Sequence, residues 1–183
     1  MYAIGIMNKE HENITRMLKV VRACCFKVLK GEEINYDDFD KILEFIIEYA
    51  DKHHHKKEED ILFDKMVQYL GETAEKVVKN GMLVEHDLGR LYIKDLSRAL
   101  ENVKNGDEES KLDLIANAVS YAQLLERHID KEDRVIYKYA ARELETIILN
   151  LVDEECREFE EKNNDVKKRC LIILDELEKK YIE

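Results

Sequence analysis

Proline is absent from the chain, and its 183 residues include only six glycines. These two residues end or interrupt regular elements, so few strand or turn signals are left. Leucine, glutamate and lysine, which are abundant here, are good helix formers. The length is sufficient for one domain with a hydrophobic core. The sequence therefore predicts an all-α protein.

Apolar residues at three- and four-residue spacing predict four long helices, because this spacing gives a helix one buried face. We expect turns at Gly31 and Gly106, and a looser region around Gly71 and Asn80–Met82. The predicted helices cover residues 8–30, about 39–70, about 83–103 and about 110–141.

The C-terminal part of the chain contains no histidine and is predicted to form one or two shorter amphipathic helices, broken near Asn163–Asp165. A packing stripe is expected at Leu171, Leu174 and Leu177. We therefore expect a helical bundle over residues 1–141 and a helical extension over 142–183. The extension is predicted to pack on the same domain and is a candidate for oligomer contacts.

Charge and hydropathy exclude two classes of partner. The net charge is −11, and no segment has the clustered lysine and arginine that phosphate binding requires. The longest apolar runs, such as Leu171–Leu174, fall far short of the roughly 20 residues of a membrane span, and the start lacks a signal-peptide pattern. We expect no nucleic acid, no membrane and a cytoplasmic location. The cysteines lack CxxC spacing and are predicted to be reduced, partly buried thiols: Cys24, Cys25, Cys156 and Cys170.

Histidines recur at matching positions in the two halves of the predicted bundle. His86 follows His11 by 75 residues, and His128 follows His54 by 74. In each half the two histidines are equally far from their own glycine turn. At about 1.5 Å rise per residue, all four would meet in one layer of an up-down-up-down four-helix bundle. The chain is thus predicted to be a duplicated helical hairpin.

A glutamate follows one histidine of each half at the i+4 position, on the same helix face. The pairs His54–Glu58 and His128–Glu132 each present an imidazole and a carboxylate to one space. With His11 and His86 they give four imidazoles and two carboxylates. This donor set suits iron, manganese or zinc, whereas calcium prefers oxygen alone. Two carboxylates shared by metals about 3.5–4 Å apart would form a dinuclear centre.

Four segments carry a family resemblance: "EHENI" from Glu10, "ADKHHHKKEEDILF" from Ala50, "EHDLGR" from Glu85 and "HIDKEDRVIYKYA" from His128. In order and spacing they resemble the helices of hemerythrin-like cation-binding (HHE) domains, over about residues 8–141. The resemblance implies two non-haem iron ions in the bundle core. It assigns His11, His54, His86 and His128 as terminal ligands, with Glu58 and Glu132 as bridging carboxylates.

The same resemblance implies a small ligand at an open metal position: oxygen, nitric oxide or peroxide. Oxygen-carrying hemerythrins are similar but bring a fifth histidine to one iron, and no clearly matching residue is present here. That difference favours relatives that sense oxygen or iron, handle nitric oxide or peroxide, or repair damaged iron centres. A redox partner protein would be needed for some of these activities.

Successive side chains on an α-helix point about 100° apart, so His53, His54 and His55 cannot all face one metal pair. His54 aligns with His128 and is the predicted ligand. His55 and Glu59 are predicted to form an entrance pair or a solvated helix pair. Candidates for orienting the ligand imidazoles are Glu59, Asp60, Asp87 and Asp133, and the tyrosines able to approach the centre are Tyr49, Tyr121 and Tyr137.

Other functional classes make different predictions. A ferritin-like oxidase would carry Glu-x-x-His pairs, but the residues three before the four histidines are Asn8, Asp51, Leu83 and Leu125. A zinc protease needs His-Glu-x-x-His, and "HENIT" from His11 lacks the second histidine. The sequence leaves three alternatives open: a di-iron oxidoreductase, an iron-donor or iron-centre repair protein, and an acidic helical scaffold without metal. Whether the protein is an enzyme is not decided by these patterns.

Overall fold

A computed structural model describes residues 1–182, which are helical almost throughout and contain no β-strand. The all-α prediction is confirmed. The α-helices are α1 (Tyr2–Leu29), α2 (Tyr36–Glu44), α3 (Asp64–Val77), α4 (Leu83–Lys104), α5 (Ser110–Lys131), α6 (Tyr137–Glu143), α7 (Thr146–Lys162) and α8 (Asn164–Tyr181). Wider π-helical turns, with hydrogen bonds to the fifth residue, occupy Phe45–His55, Glu58–Phe63, Val78–Met82 and Glu132–Ile136.

Glycines with positive φ mark the ends of the long helices. Gly31 has φ 82° and Gly106 has φ 94°, a left-handed backbone that glycine adopts without steric cost. The next helix after Gly31 starts at Asn35, whose side chain accepts a hydrogen bond of 3.1 Å from the backbone N–H of Asp38. Both predicted turns are therefore confirmed.

The predicted looser region is only half correct. At Gly71 the backbone breaks, with φ 73° and ψ −158°, so α3 is kinked there. Asn80–Met82, in contrast, lies inside the π-helical segment that leads directly into α4. Gly81 lowers helix propensity without forcing a break, whereas the φ of Gly71 is incompatible with a helix. The third long helix consequently begins just after Gly71 and not at Leu83.

A polar layer separates two hydrophobic clusters. The first cluster includes Met17, Phe45 and Leu96, and the second includes Met7 and Phe63. Along α1, and again along the helix that follows it, the chain passes from one cluster to the other through buried histidine and glutamate residues. Apolar packing on both sides fixes the helices that carry these polar groups.

The C-terminal extension contributes to both clusters. From α8, Leu174 and Leu177 are buried in the first cluster, and from α7, Val152 and Cys156 are buried in the second. The break at Asn163 confirms two helices in this region. All four cysteines are free and buried. Whether the extension forms a separable unit remains a prediction.

Helices α4 and α5 pack along each other, α1 packs against α5 and α8, and α2 packs against α4. The short turns at Gly31 and Gly106 make helices that follow each other in the chain neighbours in the bundle. Among residues 1–182, no helix combines the length and apolar character needed to cross a bilayer.

Candidate metal centre

The structure brings all six sequence-predicted ligands together in the polar layer. Each is at most 2% exposed: His11, His54, Glu58, His86, His128 and Glu132. Their donor atoms fall into two groups within which every atom lies no more than 4.8 Å from the others. One group contains His11, His54, Glu58 and Glu132, and the other contains His55, Glu58, His86 and His128.

The two carboxylates lie between these groups. The Oε2 atom of Glu132 is 3.3 Å from Nε2 of His11 and 3.2 Å from Nε2 of His128. The Oε2 atom of Glu58 is 3.5 Å from Nε2 of His54 and 3.6 Å from Nε2 of His86. Each carboxylate thus contacts imidazoles of both groups, which is the position a bridging ligand requires.

Several of these buried atoms lack a well-formed hydrogen bond within residues 1–182: Nε2 of His54, Oε2 of Glu58 and both carboxylate oxygens of Glu132. Buried polar atoms without partners are rare in folded proteins, because desolvation without compensation is costly. A cation would satisfy all of them at once. The nitrogen and oxygen donors suit iron, manganese or zinc, so the residues fit a metal pair.

Carboxylates on the outer side hold the four imidazoles. In each ring Nδ1–H donates to a carboxylate, which turns Nε2 towards the centre, the arrangement common at histidine metal sites. The pairs are His11 with Asp133 (2.7 Å), His54 with Glu10 (2.9 Å), His86 with Glu59 (2.6 Å) and His128 with Glu85 (2.9 Å).

These supporting carboxylates repeat as the histidines do. Glu85 follows Glu10 by 75 residues, and Asp133 follows Glu59 by 74. Glu10 and Glu85 each hold the histidine of their own half. Glu59 and Asp133 each hold the histidine of the other half. The two halves are therefore interlocked through hydrogen bonds.

Sequence reasoning identified two of the four supporting carboxylates, Glu59 and Asp133. Its other two candidates make different contacts: Asp60 pairs with Lys56 at 2.6 Å and Asp87 with Arg90 at 3.0 Å. The missed residues are Glu10 and Glu85. A signal was available, because a glutamate directly precedes the histidine in both "EHENI" and "EHDLG".

Charge is unevenly distributed over the centre. Burial and the neighbouring Glu132 raise the pKa of Glu58 to about 8. Burial also opposes ionisation of Glu132, but the charge of His128 and hydrogen bonds from the surrounding imidazoles hold its pKa well below the usual value. Although burial lowers the pKa of His11, its bonds to Asp133 and Glu132 raise it to about 9. Protons on imidazole thus offset the carboxylate charge, and metal binding would release them.

Tyr137 and Phe63 mark a difference between the two halves. They occupy equivalent positions, 74 residues apart, and each ring stacks near a histidine, at 5.5 Å from His11 and 6.0 Å from His86 respectively. The Tyr137 hydroxyl also donates a short hydrogen bond to Oε1 of Glu58. Of the three tyrosines considered, Tyr137 is the one that bonds a predicted ligand.

His55 is not part of a solvated pair, so that prediction is wrong. The side chain is 3% exposed, and its ring stacks on His86 with centroids 4.0 Å apart. Glu59 is bonded to His86 and Arg90 instead. His54 and His55 belong to a π-helical segment, which turns less per residue than an α-helix, so both rings can face the centre. The α-helical angle used for the prediction does not apply there.

His53 belongs to a second buried polar cluster next to the centre. Its Nε2 lies 3.0 Å from both Glu10 and Glu160, the latter from α7. The fully buried Lys57 donates to the same two carboxylates, at 2.6 Å to Glu10. The lysine ammonium is the cation of this cluster. Through Glu10, the cluster is joined to His54.

A cavity of about 320 Å³ approaches the centre from the side of α4. Its lining is mainly apolar, with Ile46, Ile93 and Tyr121 among its walls and Arg90 beside it. His55 is the residue that the cavity shares with the metal-binding group. The cavity therefore gives a small molecule a path to the centre.

Fold and site together define a helical protein whose core holds two buried groups of histidine and carboxylate donors suited to cations. The profile of the hemerythrin HHE cation-binding domain matches residues 2–140, and the chain belongs to this family. Domains of this family bind small ligands at a metal centre. No curated protein matches significantly. No solved structure does so either.

Proposed function

We propose that the protein binds two iron ions between its helices and uses this centre to bind or sense oxygen, nitric oxide or peroxide. His11 and His54 would hold one ion, and His86 and His128 the other. Glu58 and Glu132 would bridge the pair. When bound, the metal pair would supply electrons and an open coordination position for the small ligand.

The observation that carries the proposal is the position of the two carboxylates between the imidazole groups. Glu132 lies 3.3 Å or less from one imidazole of each group. Both glutamates are fully buried. Ionised carboxylates in such a position are unfavourable unless cations offset them. A structural role for these two residues would require partners that residues 1–182 do not supply.

Access supports a small ligand. The cavity beside Tyr121 reaches the centre only at His55, and its lining is mainly apolar. Apolar walls suit a neutral diatomic molecule or peroxide better than a charged metabolite. Arg90 at the edge is already paired with Asp51 and Glu59, so its charge is compensated.

The test is metal analysis and optical spectroscopy of protein purified without oxygen. We expect two iron ions per chain and a spectrum that changes on addition of oxygen or nitric oxide. A helical scaffold without a metal function would contain no stoichiometric metal and would not respond. Protein that binds two ions but shows no spectral change with oxygen, nitric oxide or peroxide would disprove the ligand-binding part of the proposal.

A further inference from the structure

Position 55 breaks the correspondence between the two halves of the centre. The residue equivalent to His55, 74 positions later, is Ile129. Ile129 is also buried, at 8% exposure. An aliphatic side chain therefore fills this place in one half, and packing alone does not call for an imidazole in the other.

The ring of His55 lies among the donors of one metal-binding group. It stacks on His86 at an interplanar angle of 15°, and it meets the ring of His128 edge-on at 5.7 Å. A donor atom of His55 lies within 4.8 Å of donor atoms of Glu58, His86 and His128.

Neither ring nitrogen of His55 has a hydrogen-bond partner within residues 1–182. Leaving a buried polar atom unpaired costs about 1–3 kcal/mol, so an imidazole in this place requires an explanation. Nδ1 lies 3.6 Å from a carboxylate oxygen of Asp51, just beyond hydrogen-bonding distance. The other imidazoles of the centre also have a carboxylate at Nδ1, and they direct Nε2 inwards.

We propose that His55 is a fifth imidazole ligand, bound through Nε2 to the ion held by His86 and His128. The inference rests on the proposed metal pair. One ion would have three imidazoles and the other two, with the same bridging carboxylates. The duplicated chain would thus build two unequal metal positions.

Cobalt(II) titration of the metal-free chain and its variants tests the assignment. In His55→Leu we expect one of two binding events to weaken by at least 10–100-fold, the loss typical for removing even a supporting partner of a metal ligand. The visible absorption of cobalt at that position should change as its coordination number falls. The matched control is His53→Leu, which removes the adjacent buried imidazole from outside the centre and should leave the cobalt spectrum unchanged.

The outcomes separate the inference from the proposed function. If the wild-type chain fails to bind two ions, the proposed metal pair is wrong. If the wild type binds two and His55→Leu binds two with the same affinity and spectrum, the assignment of His55 alone is overturned.

A measurement on the wild type covers the case in which His55→Leu does not fold. Each bound imidazole retains one ring N–H, whose proton resonance is shifted by paramagnetic cobalt. Five such resonances are expected for the loaded protein. Four would overturn the assignment.

Discussion

Nδ1 of His86 lies 2.6 Å from an oxygen of Glu59, a residue on the other half of the repeat. Arg90 donates to the same oxygen at 2.7 Å. Arginine and histidine together hold the pKa of Glu59 below the usual value, despite the opposing effect of burial. Glu59 is therefore a fixed negative charge that orients His86.

Replacement of Glu59 by glutamine should weaken metal binding. The amide oxygen can still accept from Nδ1, but the negative charge that favours a strongly binding imidazole is lost. We expect affinity to fall by about 10–100-fold. The measurement is a metal-competition titration. Asp60→Asn is the control: Asp60 is exposed and pairs with Lys56. Equal affinities of the two variants would contradict the role of Glu59.

Replacement of a bridging carboxylate should have a larger effect. Glu58→Gln keeps the size of the side chain but removes a charge shared by both ions, so we expect a greater loss of affinity than for Glu59→Gln. With excess metal, each tenfold loss of affinity lowers the stabilisation of the folded state by about 1.4 kcal/mol. Metal per chain and the melting temperature, with and without metal, report both effects. Retention of two ions at unchanged affinity would exclude Glu58 as a bridge.

Tyr137→Phe removes the hydroxyl that donates to Glu58 and recreates the phenyl ring present at Phe63. Loss of a buried hydrogen bond to a carboxyl group should lower the unfolding free energy by about 1–3 kcal/mol. Denaturant unfolding of the metal-free protein provides the measurement. Tyr139→Phe, a partly buried tyrosine on the same helix, should change stability by less than about 0.5 kcal/mol. A similar small change in Tyr137→Phe would show that the contact contributes nothing.

Glu160 should make the fold sensitive to acid. Burial opposes its ionisation, but hydrogen bonds from His53, Lys167 and Lys57 lower its pKa from 4.5 to about 2. Between these values the unfolded chain binds more protons than the folded chain, so stability falls as pH falls through this window. In Glu160→Gln this part of the slope disappears, and stability at pH 7 is lower.

The control for Glu160 is Glu158→Gln on the same helix, whose exposed carboxylate lies 3.6 Å from Lys162. Unfolding of metal-free protein, measured from neutral pH to about pH 2, should show the wild-type slope in this variant. The same acid slope in all three proteins would mean that Glu160 does not titrate as described.

Much of the centre could be predicted because it depends on spacing along helices. The 74- and 75-residue offsets and the i+4 pairs brought six residues to one layer, and the structure places all six there. The position of His55 could not be obtained in this way. It depends on π-helical turns, for which a single sequence gives no clear signal.

The role of the C-terminal extension was missed for a different reason. It contains no histidine, and it was expected to be peripheral. Yet Glu160 bonds Lys57 and His53, which in turn hold Glu10. A contact between residues more than 100 positions apart leaves no periodic trace in the chain, and a charged residue on an amphipathic helix is usually solvated.

The crossing of Glu59 and Asp133 between the two halves has a consequence for chain connectivity. A hairpin on its own has two histidines but lacks the carboxylate that holds one of them. Two separate hairpins would supply each other with the missing group, whether or not a peptide joins them at Gly71. The covalent link is thus not what builds the centre. A chain cut at Gly71 should come back together around its ions and come apart when a chelator removes them.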